Sequence, residues 1–123
     1  MEYLYNNEWK ELKKQKKYKE AAEILSSEIA INCIRAHNFF SDIKLEEQPG
    51  NIGSLNFGMD SKGEYIKELE EIHYLAFMLN GAIYYLDVNI SKNDVKEAKE
   101  YLLKFEKYQK DILKYSRGKI WQK

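Results

Sequence analysis

The stretch from Ser91 to Gly118 limits the fold more than any other part of the chain, because it reads as one long helix with both ends marked. Ser91 and Asp94 form an S-x-x-D start signal, an acidic variant of the capping box. Val95, Ala98, Leu102, Phe105, Gln109 and Ile112 follow at alternating steps of three and four, which draws one apolar stripe down one face. Lys110, Lys114 and Arg117 crowd the last turns, where cations suit the negative end of the helix dipole. Gly118 supplies the stop. A helix of that length runs about 40 Å. It has to lie along other long helices, and that sets the class of fold.

Three further helical segments are expected. The first covers about 7–16, anchored by Trp9 and Leu12. The second covers 18–40, with Tyr18, Ala22, Leu25, Ile29, Cys33, Ala36 and Phe40 as its stripe. Ala21, Ile24, Ile31 and Ile34 widen that stripe, so this helix is expected to be central and touched on two sides. The first two segments read equally as two helices or as one long bent helix. The third covers 62–87 and opens on a capping box, Ser61 with Glu64. Its face carries Ile66, Leu69, His73, Ala76, Asn80, Ile83 and Leu86, broadened by Ile72, Leu75, Leu79 and Tyr85. The fourth covers 92–117. Between the second and third, residues 41–60 hold Pro49, the chain's single proline, and three of its six glycines, so they read as a long loop. The link from Val88 to Ser91 is short and implies an antiparallel hairpin. The expected fold is all-α: one domain over 1–123, an up-and-down four-helix bundle built from two helical hairpins with a long central loop.

A chain of 123 residues, 44% hydrophobic and 33% charged, can build its own core without disulfides or metal. A single cysteine, Cys33, makes no internal disulfide and suggests a reducing, cytoplasmic setting. The opening MEYLYNNEWK lacks the basic-then-apolar order of a signal peptide. The apolar runs Tyr74 to Leu79 and Ala82 to Leu86 are too short to span a bilayer, so no membrane partner is expected. Net charge is zero but uneven: residues 10–19 carry +5, residues 104–123 carry +5, and residues 20–103 carry −8. Lys13, Lys14, Lys16 and Lys17 are the candidate anion-binding set. A neutral chain with a pI near 6.7 is a poor general nucleic-acid binder, which makes nucleic acid the secondary expectation.

Chemistry-bearing residues are few. Glu70-Glu71-Ile72-His73 contains an E-x-x-H, which di-metal helical bundles use twice with two further inward glutamates. Here His37 has Ile34 where the second Glu should stand. Cys33, His37 and His73 lack a fourth ligand for zinc. No catalytic triad and no phosphate loop can be read. The expectation is therefore no catalytic residue, no metal and no cofactor. Tyr101, Tyr108 and Tyr115 recur at seven-residue steps on the fourth helix and keep to one side of it. With Trp121 beyond them and Phe57 in the loop, they are the candidate partner-binding residues.

Two pieces resemble the HEPN superfamily of small helical bundles: Tyr18 to Ala36, like its early helix, and Asn80-Gly-Ala-Ile-Tyr-Tyr-Leu with the helix that follows, like its closing half. They cover under half the chain. The family's RNase members use an Arg, often followed by Asn, with a His several residues on. Leu79 and Tyr84 stand at those positions here, so the resemblance implies a non-catalytic member, of the kind found in toxin–antitoxin or defence systems. The hairpin from Leu12 to Leu25 also looks like a tetratricopeptide unit. The functional expectation is a small non-enzymatic protein acting through a protein partner or as a homodimer: a regulator, inhibitor or immunity-type protein. The alternative is a nucleic-acid-associated module using Lys10 to Lys19 and the basic C-terminus.

Overall fold

The computed structural model describes residues 8–41 and 66–116. They form four α-helices, α1 (Glu8–Lys14), α2 (Tyr18–Ser41), α3 (Lys67–Asn89) and α4 (Val95–Leu113), with a short 3-10 turn at Lys114–Ser116. Among the described residues there is no strand. The fold is an all-α, four-helix arrangement in which three long helices carry the core and α1 is a two-turn flank.

α1 and α2 are separate helices. Lys17 N–H donates to Leu12 O at 2.9 Å and Lys16 N–H to Lys13 O at 2.9 Å, the paired bonds of a Schellman stop. Lys16 takes the left-handed position with φ 63°, where glycine is usual. The chain folds back, and Lys13 of α1 forms an ion pair with Glu106 of α4 at 2.7 Å.

α2 is the central helix. Ala21, Ala22, Leu25, Ile29, Cys33 and Ala36 are fully buried, and the three alanines let its neighbours approach closely. Ile31, expected to widen the buried stripe, is 40% exposed, since at about 100° per residue it falls on the side of α2 away from Leu25, Ile29 and Ala36. α4 contributes Ala98, Leu102, Phe105, Gln109 and Ile112, the stripe its spacing predicts, although Val95 in the first turn is exposed. α3 contributes Leu69, Ile72, Ala76, Leu79, Ala82 and Leu86, and Ile90 anchors the link that follows. Asn80, expected on that face, points to solvent, since a stripe through Ile72, Ala76 and Leu79 turns it outward. Burying each large apolar side chain stabilises the fold by about 1.5–3 kcal/mol.

Cross-contacts fix the directions. Tyr18 meets Lys99 and Phe40 meets Tyr115, so α2 and α4 run parallel. Tyr85, late in α3, stacks on Tyr101 early in α4, while Glu71 accepts from the Tyr115 hydroxyl. α3 therefore runs antiparallel to α4, as the short link implies. A buried polar relay pins the α2–α4 register. Gln109 Nε2 donates to Glu28 Oε1 at 2.6 Å, and Asn32 Nδ2 donates to Gln109 Oε1 at 3.1 Å. Sliding either helix by a turn would strand these groups without partners.

Two helix starts differ from expectation. The N-cap of α4 is Asp94, whose carboxylate accepts from Glu97 N–H at 3.1 Å. Ser91 instead closes the preceding turn, its carbonyl accepting from Asp94 N–H. α3 starts at Lys67 after an extended Ile66, φ −126° and ψ 116°, with no side-chain cap, and not at 62. Ser61, Glu64, the 41–60 loop beyond Ser41, Phe57, Gly118 and Trp121 lie outside the described residues.

Candidate binding face

The tyrosine row of α4 lies along its boundary with α3. Tyr101 stacks on Tyr85 with centroids 5.3 Å apart and planes at 11°, and Lys104 Nζ lies 4.6 Å from the Tyr101 ring. Tyr108 tilts against Phe105 at 6.2 Å. Tyr115 meets Phe40 edge-on at 6.1 Å and donates its hydroxyl to Glu71. All three rings are partly buried. Burial pushes each phenol above its ordinary value, and at Tyr115 the neighbouring Glu71 adds to the effect. The row thus edges the core and also faces outward.

Between α3 and α4 runs an open groove of about 850 Å³. Tyr74, Leu75 and Met78 line it from α3, Tyr108 from α4 and Tyr115 from the 3-10 turn after it. Its charges are split by helix. Glu70 and Glu71 come from α3, Lys104 and Lys107 from α4, where Asp111 pairs with Lys107 at 3.2 Å, and Lys114 from the 3-10 turn. An apolar trough with an acidic and a basic wall suits a peptide segment or a helix more than a small metabolite.

Next to the groove, the outer face of α3 is apolar and bare. Tyr74, Phe77, Tyr84 and Val88 are 64%, 71%, 67% and 59% exposed, and Met78 and Tyr85 are more than a third exposed. This face was missed in the sequence because α3 is apolar on two sides, and its inner stripe accounts for the helix. The available signal was Tyr74, Phe77, Gly81, Tyr84 and Val88 at steps of three and four.

The expected anion-binding lysines divide. Lys13 is paired with Glu106, and Lys14 lies 3.5 Å from Glu11. Lys16 and Lys17 join Lys19 and Lys92 around a pocket of about 280 Å³ where the first turns of α2 and α4 meet. Lys19 is committed in part, donating to Ile90 O at 2.5 Å, and Glu20 also lines the pocket.

Cys33 and His37 are both fully buried in α2. Desolvation pushes the Cys33 thiol up to about 12, so it stays protonated and unreactive at neutral pH. Burial lowers the His37 pKa; a hydrogen bond to Asn38 opposes this, and the nearby His73 adds to it. Among the described residues, no three His, Cys, Asp or Glu side chains come together as a metal site. No helix among them is long and apolar enough to cross a membrane. Comparison with protein families, with curated proteins and with solved structures gives no match.

Proposed function

We propose that this protein acts by binding another protein through the surface formed by α3 and α4, as a small cytoplasmic regulator, inhibitor or immunity-type protein with no chemistry of its own. The observation that carries this reading is the concentration of exposed apolar side chains on one helix, α3. Scattered apolar residues are ordinary on a protein surface, whereas a contiguous patch marks a contact site. The groove beside it adds tyrosines and opposed charges, the mixture from which binding hot spots are made. The residues most capable of chemistry support the same reading: His37 is sealed in the core and the Cys33 thiol is held protonated. The HEPN resemblance fits a binding role as well, since Leu79 is core and Tyr84 is surface at the positions where RNase members carry Arg and His.

Bait experiments test this. The immobilised protein should retain a protein partner from an extract of its native host, and that complex should persist as salt is raised. Tyr108→Ala, with helix content checked by circular dichroism, should weaken the complex by about tenfold or more, as for a central interface tyrosine. Retention of nucleic acid alone, or a partner indifferent to Tyr108, contradicts the reading.

The basic pocket favours a second reading, an anion-binding module. Lys16, Lys17 and Lys92 there adjoin the positive ends of two helices, an arrangement that attracts phosphate. In that case affinity for a short oligonucleotide should fall steeply with salt and vanish when the three lysines are changed to Glu.

A further inference from the structure

The exposed face of α3 is centred on Gly81. Tyr74 and Val88 lie seven residues to either side of it, Phe77 and Tyr85 four, Met78 and Tyr84 three. All six are exposed apolar side chains. A glycine in the middle of a helix is destabilising relative to alanine. Among the described residues nothing requires it here, since a β-carbon at Gly81 would meet no atom within 4 Å. A glycine with open space around it, at the centre of an apolar face, suits the close approach of another backbone.

We propose that the occupant of this face is a second copy of the chain, bound antiparallel through α3 about a two-fold axis passing beside Gly81. The proposal rests on the reading that the protein works by protein contact and identifies the partner of one surface. Turning a second α3 about that axis lays Tyr74 against Val88 of the other copy, Phe77 against Tyr85 and Met78 against Tyr84. Every apolar side chain meets another, as an isologous interface requires. Met against Tyr and Phe against Tyr are favourable contacts beyond their area. Tyr85 is already held in place by Tyr101 and by its hydrogen bond to Glu97 at 3.0 Å, which lowers the cost of ordering it. Tyr74, Phe77 and Tyr84 are each about two-thirds exposed and offer roughly 400 Å² of ring surface per copy. That is about half of what each partner gives to a standard interface, and Met78, Tyr85 and Val88 add to it. Phe77, Gly81 and Tyr84 lie outside the α3–α4 groove, so much of the groove stays open to a different partner.

Sedimentation velocity of the full chain over a range of concentrations, combined with cysteine cross-linking, tests the proposal. The wild type should show a reversible monomer–dimer equilibrium. Gly81→Leu and Phe77→Asp should each weaken it by about tenfold or more. Both positions are exposed in a single copy, so circular dichroism should show unchanged helix content. Under mild oxidation Gly81→Cys should cross-link to itself, because the two copies of position 81 face each other at the axis; the buried Cys33 is not accessible. Tyr74→Cys should not cross-link to itself, because its two copies stand about 21 Å apart along the helices. Met78→Cys mixed with Tyr84→Cys should give a crossed product. A monomer at every concentration overturns the proposal, whatever else covers α3, and leaves the binding function standing if the bait still retains a partner sensitive to Tyr108. A dimer indifferent to Gly81 and Phe77, or one in which Tyr74→Cys links to itself, also overturns it.

Discussion

Replacing Lys16 by glycine should stabilise the protein. Lys16 has φ 63°, a conformation that costs an L-residue with a side chain about 1–2 kcal/mol. Glycine adopts it without that penalty but gives up about 0.5–1 kcal/mol of extra chain freedom on folding. The net gain is about 0.5–1 kcal/mol, or about 2–5 °C in melting temperature for a domain of this size. Lys16→Ala serves as the control, since it removes the charge but keeps the strained backbone and should change stability little. Urea unfolding followed by circular dichroism, with the slope of the transition held constant between variants, measures the difference. The sign decides between two architectures. If α1 and α2 were one continuous helix, glycine in its interior would cost about 0.8–1 kcal/mol. A destabilised Lys16→Gly, with Lys16→Ala unchanged or improved, would refute the helical stop at this residue.

Phe105 is fully buried and touches the rings of Tyr101 and Tyr108, so Phe105→Ala should cost about 3–5 kcal/mol in chemical denaturation. Asp94→Ala removes the carboxylate that accepts from Glu97 N–H and should cost about 1 kcal/mol, whereas Ser91→Ala should be near neutral; the reverse order would restore Ser91 as the cap. Burial holds the His37 pKa below its ordinary value of 6.5. Its contribution is therefore present above that pH and is lost as pH falls towards the folded-state value, because the unfolded chain takes up the proton first. Stability measured from neutral to mildly acid pH should decline, and His37→Gln should flatten the decline.

Much of the bundle was legible because single apolar stripes leave little choice. On α4, Ala98, Leu102, Phe105, Gln109 and Ile112 carry one face and most of the rest is polar, so the buried set follows largely from spacing, with Val95 the exception. The start of α4 was less determined. Ser91 with Asp94 and Asp94 with Glu97 both satisfy the three-residue spacing of a cap, and only the carboxylate geometry selects Asp94. The break after α1 had no glycine to announce it, since Lys16 takes a conformation its residue type does not advertise. α3 has two apolar faces, so the stripe through Asn80 competes with the one through Leu79, and only packing against α2 separates them. The same ambiguity hid the outer face: Phe77 and Tyr84 look like core residues until the inner positions are occupied by Ala76, Leu79 and Ala82. Tyr108 stands out on α4 from its seven-residue spacing alone. The groove it lines was not, because Tyr74 and Met78 are brought to it by tertiary packing.

Amide correlation spectra of the isotope-labelled protein, recorded on dilution from millimolar to micromolar concentration, report residue by residue which face of the bundle makes contacts. If α3 is the face through which this protein meets other molecules, beginning with its own second copy, concentration-dependent shifts should cluster at Tyr74, Phe77, Met78, Gly81, Tyr84, Tyr85 and Val88. The inner stripe and the basic pocket should stay still. Spectra that do not change on dilution, or shifts that centre on Lys16, Lys17 and Lys92, would contradict it.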